Sequence, residues 1–149
     1  MLIDTHAHLH VKEFDNDREE TIQRAREAGV RKMINVGFDA EGNFQALALA
    51  KKNDDIWASM GIHPHIASEW NDHVAGRIHE AVKKDALEDG KIVALGEIGL
   101  DYYKNFQPVD VQKTALRGQL KLAQELELPV IIHCRDAFKD MYEILDEMK

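Results

Sequence analysis

Short apolar runs alternate with longer amphipathic segments along the whole chain. The apolar runs occupy residues 1–4, 32–36, 56–60, 92–95 and 129–132. Uninterrupted apolar runs of this length are typical of strands that are buried on both faces in a parallel sheet. The pattern therefore predicts five buried parallel strands.

The segments between these runs carry apolar residues at the three- and four-residue spacing of helices. The helical positions are Ile22, Ala25 and Ala28; Phe44, Leu47 and Leu49; Val74, Ile78 and Val82; Val111, Ala115, Leu122 and Leu126; and Phe138, Met141, Leu145 and Met148. Asp17 with Glu20 predicts a cap at the start of the first helix, and Gly29 fits the position just past its end. Pro129 predicts the end of the fourth helix.

A repeated strand–helix–strand order predicts an α/β protein with a parallel sheet. Two architectures fit this order, an open doubly wound sheet or the first part of a (β/α)8 barrel of the TIM type. A dinucleotide-binding sheet would carry G-x-G-x-x-G after its first strand, but here that strand runs into Thr5-His6-Ala7-His8. The strand end favours the barrel.

The length also bears on the architecture, because a complete barrel takes roughly 250 residues. The 149 residues are thus expected to form a single domain, residues 1–149, truncated to about the first five βα units. The last apolar stripe runs to Lys149 without a C-cap signal, which agrees with a truncated barrel.

Composition narrows the class of protein. The formal net charge is −8 and there is one cysteine, Cys134. No signal peptide and no apolar run long enough to span a bilayer occurs, so a cytoplasmic protein without membrane contact is expected. Because the net charge is negative, binding of nucleic acid would need a local cationic site.

Four residues that can bind metal lie at predicted strand ends. His6 and His8 are two apart on the first strand and therefore share one face, Glu97 follows the fourth strand, and His133 follows the fifth. The carboxyl ends of barrel strands meet at one rim, so these side chains are expected to converge on a divalent metal. Taken singly, each has a plainer reading, such as an exposed loop acid for Glu97 or a core histidine for His133.

Further candidates surround this rim. His63, held extended by Pro64, is expected to meet a substrate phosphate or a leaving group, although an ordinary loop histidine is the alternative. Arg135 is a candidate phosphate contact, and Asp101 is expected either to hold its loop or to touch substrate. For both, a plain structural ion pair is the alternative.

Three other residues near the predicted strand ends are interpreted as structural. Asp4 is expected to orient neighbouring backbone or a ligand, and His10 lies past the strand end as a loop residue. Cys134 is expected to point away from the site into the core.

Four motifs occur in the same order as in a known family. They are IDTHAHL at residues 3–9, GIHPH at 61–65, GEIGLDY at 96–102 and IIHCRDA at 131–137. In these motifs the chain resembles the TatD family of metal-dependent deoxyribonucleases, which belongs to the amidohydrolase-like barrels.

The resemblance implies a barrel with one or two divalent cations (Mg²⁺, Mn²⁺ or Zn²⁺) that hydrolyses phosphodiester bonds in DNA. It implies that His6 and His8 bind one metal, that Glu97 bridges both, and that His133 binds the second, with His63 at the substrate. Glu97 and His63 would be the catalytic residues. The family's further ligands, a histidine after strand six and an aspartate after strand eight, would fall beyond residue 149.

Two alternatives stay open from the sequence. A related barrel hydrolase could act on another ester or amide, such as an aminoacyl-tRNA or a small phosphoester, because one fold hosts many reactions. The chain could also be an inactive half-barrel that only binds metal or self-associates through the open edges of strands one and five.

Overall fold

Five parallel strands form one sheet in the computed structural model, which describes residues 1–148. The strands are β1 (Leu2–Ala7), β2 (Val30–Val36), β3 (Ile56–Met60), β4 (Ile92–Asp101) and β5 (Val130–Arg135), and they lie side by side in chain order. The sheet curls into half of a barrel. The predicted α/β class and barrel type are confirmed.

Helices follow each strand. They are α1 (Arg18–Glu27), α2 (Gly42–Lys51), α3 (Asp72–Leu87), α4 (Val109–Leu126) and α5 (Phe138–Glu147), with short 3₁₀ helices at Lys12–Phe14 and Pro64–Glu69. Lys149, where the expectation of a missing C-cap signal falls, lies outside the described residues. Within residues 1–148, no helix has the length and apolar content needed to cross a bilayer.

Strand β4 is longer than its apolar run predicted. It continues past Leu95 to Asp101 because its second half pairs with β5, up to the register pair Asp101 and Arg135. This extension carries Glu97 along the rim inside a strand rather than in a loop.

The two ends of α1 behave differently. Asp17 is the N-cap residue of α1, as predicted, but its side chain makes no capping hydrogen bond and instead accepts hydrogen bonds from Thr21 and Arg24. At the other end Gly29 has a φ of 96° and its N–H donates to the Arg26 carbonyl. That conformation suits glycine, as predicted.

The sheet packs against the helices through two apolar clusters. One joins Leu95 of β4 with Leu116 of α4 and Ile144 of α5, and the other joins Ile22 of α1 with Ile56 of β3. Burial of one such side chain stabilises the fold by about 1.5–3 kcal/mol. This packing fixes the strands whose carboxyl ends carry the polar side chains described below.

The outermost strands leave one edge each without a neighbouring strand among residues 1–148. Strand β1 is also poorly covered, with Leu2 58% and Ile3 51% exposed. Unpaired strand edges with apolar side chains favour pairing between chains.

We predict that the chain self-associates through these edges. Ile3→Lys should shift the population toward monomer, because it places a charge on the exposed part of β1. Sedimentation velocity over a range of concentrations measures this. Leu87→Lys is the control, since Leu87 is also apolar and is 89% exposed but lies on α3. A monodisperse monomer at all concentrations would contradict the prediction.

Candidate metal centre

The carboxyl ends of β1, β4 and β5 converge on the side chain of Glu97. Its Oε2 lies 3.3 Å from His6 Nε2 and 3.8 Å from His8 Nε2. Its Oε1 lies 3.0 Å from His133 Nδ1 and 3.9 Å from His63 Nε2. The two carboxylate oxygens therefore face two different sets of histidines.

The first set, called here the β1 group, consists of His6, His8 and Glu97. One ligand atom from each lies within 4.8 Å of the others. His8 Nδ1 lies 2.7 Å from the Val36 carbonyl oxygen. A carbonyl only accepts, so Nδ1 donates and the lone pair of a neutral His8 ring stands on Nε2, facing Glu97. Asp4 accepts the backbone N–H of His6 at 3.0 Å, the orienting role expected for it.

The second set, called here the β5 group, consists of His63, His65 and His133. Their ring nitrogens also lie within 4.8 Å of one another. His133 stands between two carboxylates, with Nδ1 3.0 Å from Glu97 and Nε2 3.0 Å from Asp101. Asp101 lies 2.7 Å from His65 Nε2 and so contacts two of the three rings.

The donor chemistry of both groups fits divalent cations. Imidazole nitrogens and carboxylate oxygens suit zinc, manganese or iron. The β1 group offers His6, His8 and Glu97, and the other oxygen of Glu97 serves the β5 group through His133. The residues present can therefore hold one cation on each side of Glu97.

Electrostatics keep the carboxylates of the site ionised. Burial alone would raise the pKa of Glu97, but the hydrogen bond with His133 and the nearby rings of His63 and His6 lower it to about 2. Burial likewise opposes ionisation of Asp101, yet bonds from the Lys104 backbone N–H and the two imidazoles lower its pKa well below the usual range. Both carboxylates are thus ionised at neutral pH.

The pKa values of His63 and His133 shift in opposite directions. Burial lowers the pKa of His63 to about 4, so this ring is neutral near pH 7. Hydrogen bonding to Glu97 raises the pKa of His133. The two pKa values therefore shift in opposite directions although His63 Nε2 and His133 Nδ1 are only 3.2 Å apart.

Two glycines let β4 approach β5 closely at the site. A Cβ on Gly99 would lie 1.8 Å from the His133 carbonyl oxygen, and one on Gly96 would lie 2.6 Å from that of Ile131. Their φ values, 154° and 140°, are also ones that other residues rarely adopt. Glu97 reaches its place because Gly96 and Gly99, which flank residues 97–98, carry no side chain.

Buried amides from the helices hold the backbone that precedes His63. The Asn43 side chain bonds both the N–H and the C=O of Gly61, at 2.9 and 3.1 Å. Gln119 does the same for Ile62, at 2.7 and 3.0 Å. Each amide satisfies a donor and an acceptor that would otherwise be buried without a partner.

A third amide secures Asp101. The Gln112 side chain accepts the Asp101 N–H at 2.8 Å and donates to its C=O at 3.2 Å. The Tyr102 hydroxyl donates to Asp140 at 2.7 Å, which ties the same strand end to α5. The position of Asp101 is therefore set from two sides.

The structure brings three of the predicted ligands, His6, His8 and His133, around the fourth, Glu97. It places His63 beside them. Asp101 is 1% exposed, and its carboxylate oxygens contact the Lys104 backbone N–H and the His65 and His133 rings. Arg135 is exposed, and its guanidinium lies 3.9 Å from the Tyr103 ring centroid. Among residues 1–148 it forms no ion pair.

His65 was not singled out from the sequence as a site residue. The signal for it was the second histidine of Gly61-Ile62-His63-Pro64-His65, two residues after the first. His10 lies in a loop as expected, but its ring is buried against Asn35, with Nδ1 3.1 Å from the side-chain oxygen. Cys134 packs against the core as expected.

The amide contacts yield a stability prediction. Gln119→Leu should lower the free energy of unfolding by about 2–4 kcal/mol, because it leaves the Ile62 N–H and C=O buried without partners. Urea unfolding measures the change. Gln23→Leu is the control, since that side chain is exposed on α1 and should change stability by no more than about 0.5 kcal/mol. Equal effects of the two substitutions would count against the role given to Gln119.

The position of Glu97 yields a metal-binding prediction. In calorimetric titrations with Mn²⁺ and with Zn²⁺, Glu97→Gln should weaken binding by more than about tenfold, because it removes a charged ligand shared by both groups. His6→Gln should impair the β1 group and spare the β5 group. The control is His73→Gln, on the exposed face of α3. Unchanged metal binding by Glu97→Gln would contradict the assignment of a metal site at Glu97.

Known proteins resemble this chain over most of its length. The family model described as "TatD related DNase" matches residues 3–149. A Cronobacter sakazakii protein named "3'-5' ssDNA/RNA exonuclease TatD" is 42% identical over 134 residues, which are 90% of this chain and 49% of that protein. The Bacillus subtilis "uncharacterized metal-dependent hydrolase YabD" is 41% identical over 147 residues, covering 99% of this chain and 56% of the relative.

Among solved structures, the TatD homolog YJJV from Escherichia coli superimposes with a TM-score of 0.88 at 35% identity. The match covers 99% of this chain and 56% of that one. The chain thus spans about half the length of the curated relatives it matches. Because the family model extends over nearly every residue and the relatives are this similar, we conclude that the chain belongs to the TatD related DNase family.

Proposed function

We propose that this chain supplies the metal-binding part of the active site of a hydrolase that cleaves phosphodiester bonds in DNA. The observation that carries the proposal is the shared carboxylate, since Glu97 presents one oxygen to His6 and His8 and the other to His133. Relatives named as single-stranded DNA and RNA exonucleases support the substrate class.

In this proposal His6, His8 and Glu97 hold one divalent cation, and Glu97 with His133 holds a second. When bound, such cations polarise phosphate oxygens and make water more acidic. The imidazole-rich donor set suits Zn²⁺ or Mn²⁺, while Mg²⁺ prefers oxygen ligands and stays a candidate because phosphodiester hydrolysis often uses it. Glu97 contributes its charge to both positions because its low pKa keeps it ionised.

His63 serves in this proposal as a hydrogen-bond donor to the substrate. Its Nδ1 accepts the backbone N–H of His65 at 3.1 Å, so the proton of the neutral ring stands on Nε2. That nitrogen lies 3.9 Å from Glu97 Oε1, at the centre of the site. A donor at this position can bond a phosphate oxygen or the departing oxygen of the leaving nucleotide.

Asp101 acts on the site through the two rings it contacts. Its Oδ2 lies 2.7 Å from His65 Nε2 and 3.0 Å from His133 Nε2, and it holds both rings while its own backbone is fixed by Gln112. A carboxylate behind a metal-binding imidazole fixes the ring orientation and increases its basicity. We therefore assign Asp101 a positioning role.

We predict metal-dependent release of nucleotides from single-stranded DNA. The assay uses the chain alone and a chimera in which it replaces the matching part of the 41% identical Bacillus subtilis relative. The chimera should release nucleotides in Mn²⁺ or Mg²⁺ and lose this activity in EDTA. Glu97→Gln should abolish release, because both cation positions lose a ligand. Release that survives Glu97→Gln would refute the assignment.

Two comparisons sharpen this test. His63→Ala should lower the rate of hydrolysis by about 10²-fold or more. It should leave the metal affinity measured by calorimetry unchanged, because in this proposal His63 donates a hydrogen bond to the substrate and does not bind a cation. Charged tRNA and model esters, offered to the same chimera, test the alternative substrates. Faster hydrolysis of either than of DNA would move the proposal to that substrate.

A further inference from the structure

Two aromatic side chains stand exposed beside the metal centre, on the loop between β4 and α4. Tyr103 is 59% and Phe106 63% exposed. Loops often carry binding residues, and neighbouring apolar side chains left exposed often mark a binding site. Neither ring belongs to the β1 group or the β5 group.

The Phe106 ring adjoins the β5 group directly. Its centroid lies 4.9 Å from that of His65, at an interplanar angle of 73°. His65 in turn contacts Asp101 and the His63 ring. A ligand lying against Phe106 would therefore sit next to the residues proposed to handle the phosphodiester.

Two cationic side chains lie near the Tyr103 ring. The Arg135 guanidinium lies 3.9 Å from its centroid, and the Lys104 ammonium lies 5.7 Å away. The backbone sets this neighbourhood, because the Tyr102 N–H donates to the Arg135 carbonyl at 2.9 Å. In the part of the chain that the structure describes, neither cation forms an ion pair. Both charges are thus free for an anionic ligand, on a chain whose net charge is −8.

We propose that Tyr103 and Phe106, with Arg135 and Lys104, form a platform on which the bases of single-stranded nucleic acid stack next to the metal centre. This proposal rests on the proposed function and adds a place for the bases. Sequence-independent binding of single strands combines aromatic rings for the bases with cations for the backbone, and every base offers a face for stacking. A purely apolar partner would leave Arg135 and Lys104 uncompensated, so the free cations favour a polyanion.

The test is binding without hydrolysis. Fluorescence anisotropy in EDTA compares a labelled oligothymidylate of about ten nucleotides with an abasic oligomer of equal length. The unmodified chain should bind the oligothymidylate more tightly. Phe106→Ala and Tyr103→Ala should each weaken that binding by about fivefold or more and leave the abasic oligomer unaffected, because only the bases stack. Phe106→Trp should keep the preference.

Matched controls separate stacking and charge from loss of structure. Tyr142→Ala removes a ring that is 70% exposed on α5 and should change neither affinity. Arg135→Gln should weaken both oligomers and reduce the salt dependence by about one ion, whereas Lys121→Gln on α4 should not. Unfolding midpoints of all variants confirm that each remains folded.

The outcomes decide between the two proposals. Equal binding of the two oligomers, no binding of the oligothymidylate, or an equal loss in Tyr142→Ala would overturn the platform. If base-dependent binding is found but the chimera hydrolyses nothing, the platform stands and the hydrolase proposal fails. If binding does not depend on the bases and Phe106→Ala leaves hydrolysis unchanged, the hydrolase proposal stands and the platform fails.

Discussion

One buried carboxylate organises this half-barrel. Glu97 is 9% exposed and ionised, and burial of an unpaired charge costs several kcal/mol. Imidazoles reached from three other strand ends offset that cost. The close approach of β4 to β5 at Gly96 and Gly99 places Glu97 among them, and the apolar clusters behind the sheet fix the strands that deliver the rings.

The same carboxylate explains why the histidines fall into two groups. An anion with one oxygen toward His6 and His8 and the other toward His133 can serve cations on both of its sides. Asp101 lies behind the β5 group and fixes its rings, as Asp4 fixes the backbone of the β1 group. In the proposed function, an acidic chain would accept an anionic substrate because bound cations, together with Arg135 and Lys104, make the local charge positive. Arg135 and Lys104 form no ion pair among residues 1–148.

Much of this arrangement could be predicted from the sequence, because it follows from local patterns. Apolar runs gave the five strands, and the polar residues at their carboxyl ends had to meet at one rim. The contacts that hold the rim could not be predicted in this way. Gln119 bonds a residue 57 positions away, and no periodicity marks an amide that faces a strand end. His65 and Asp101 likewise meet across 36 positions.

The errors have local causes. Asp17 has the residue type of a cap, but Thr21 and Arg24 compete for its carboxylate. Strand β4 extends beyond its apolar run. Its backbone continues to pair with β5 past Glu97, where a charged residue interrupts the apolar pattern. Strands that carry buried functional groups break the pattern by which strands are recognised.

The central claim is that Glu97 holds a cation on each side, and anomalous diffraction from crystals grown with Mn²⁺ or Zn²⁺ tests it most directly. The account predicts two anomalous peaks, one between Glu97, His6 and His8 and one between Glu97 and His133. Peaks elsewhere, or full metal occupancy with Glu97 turned away from it, would contradict the account.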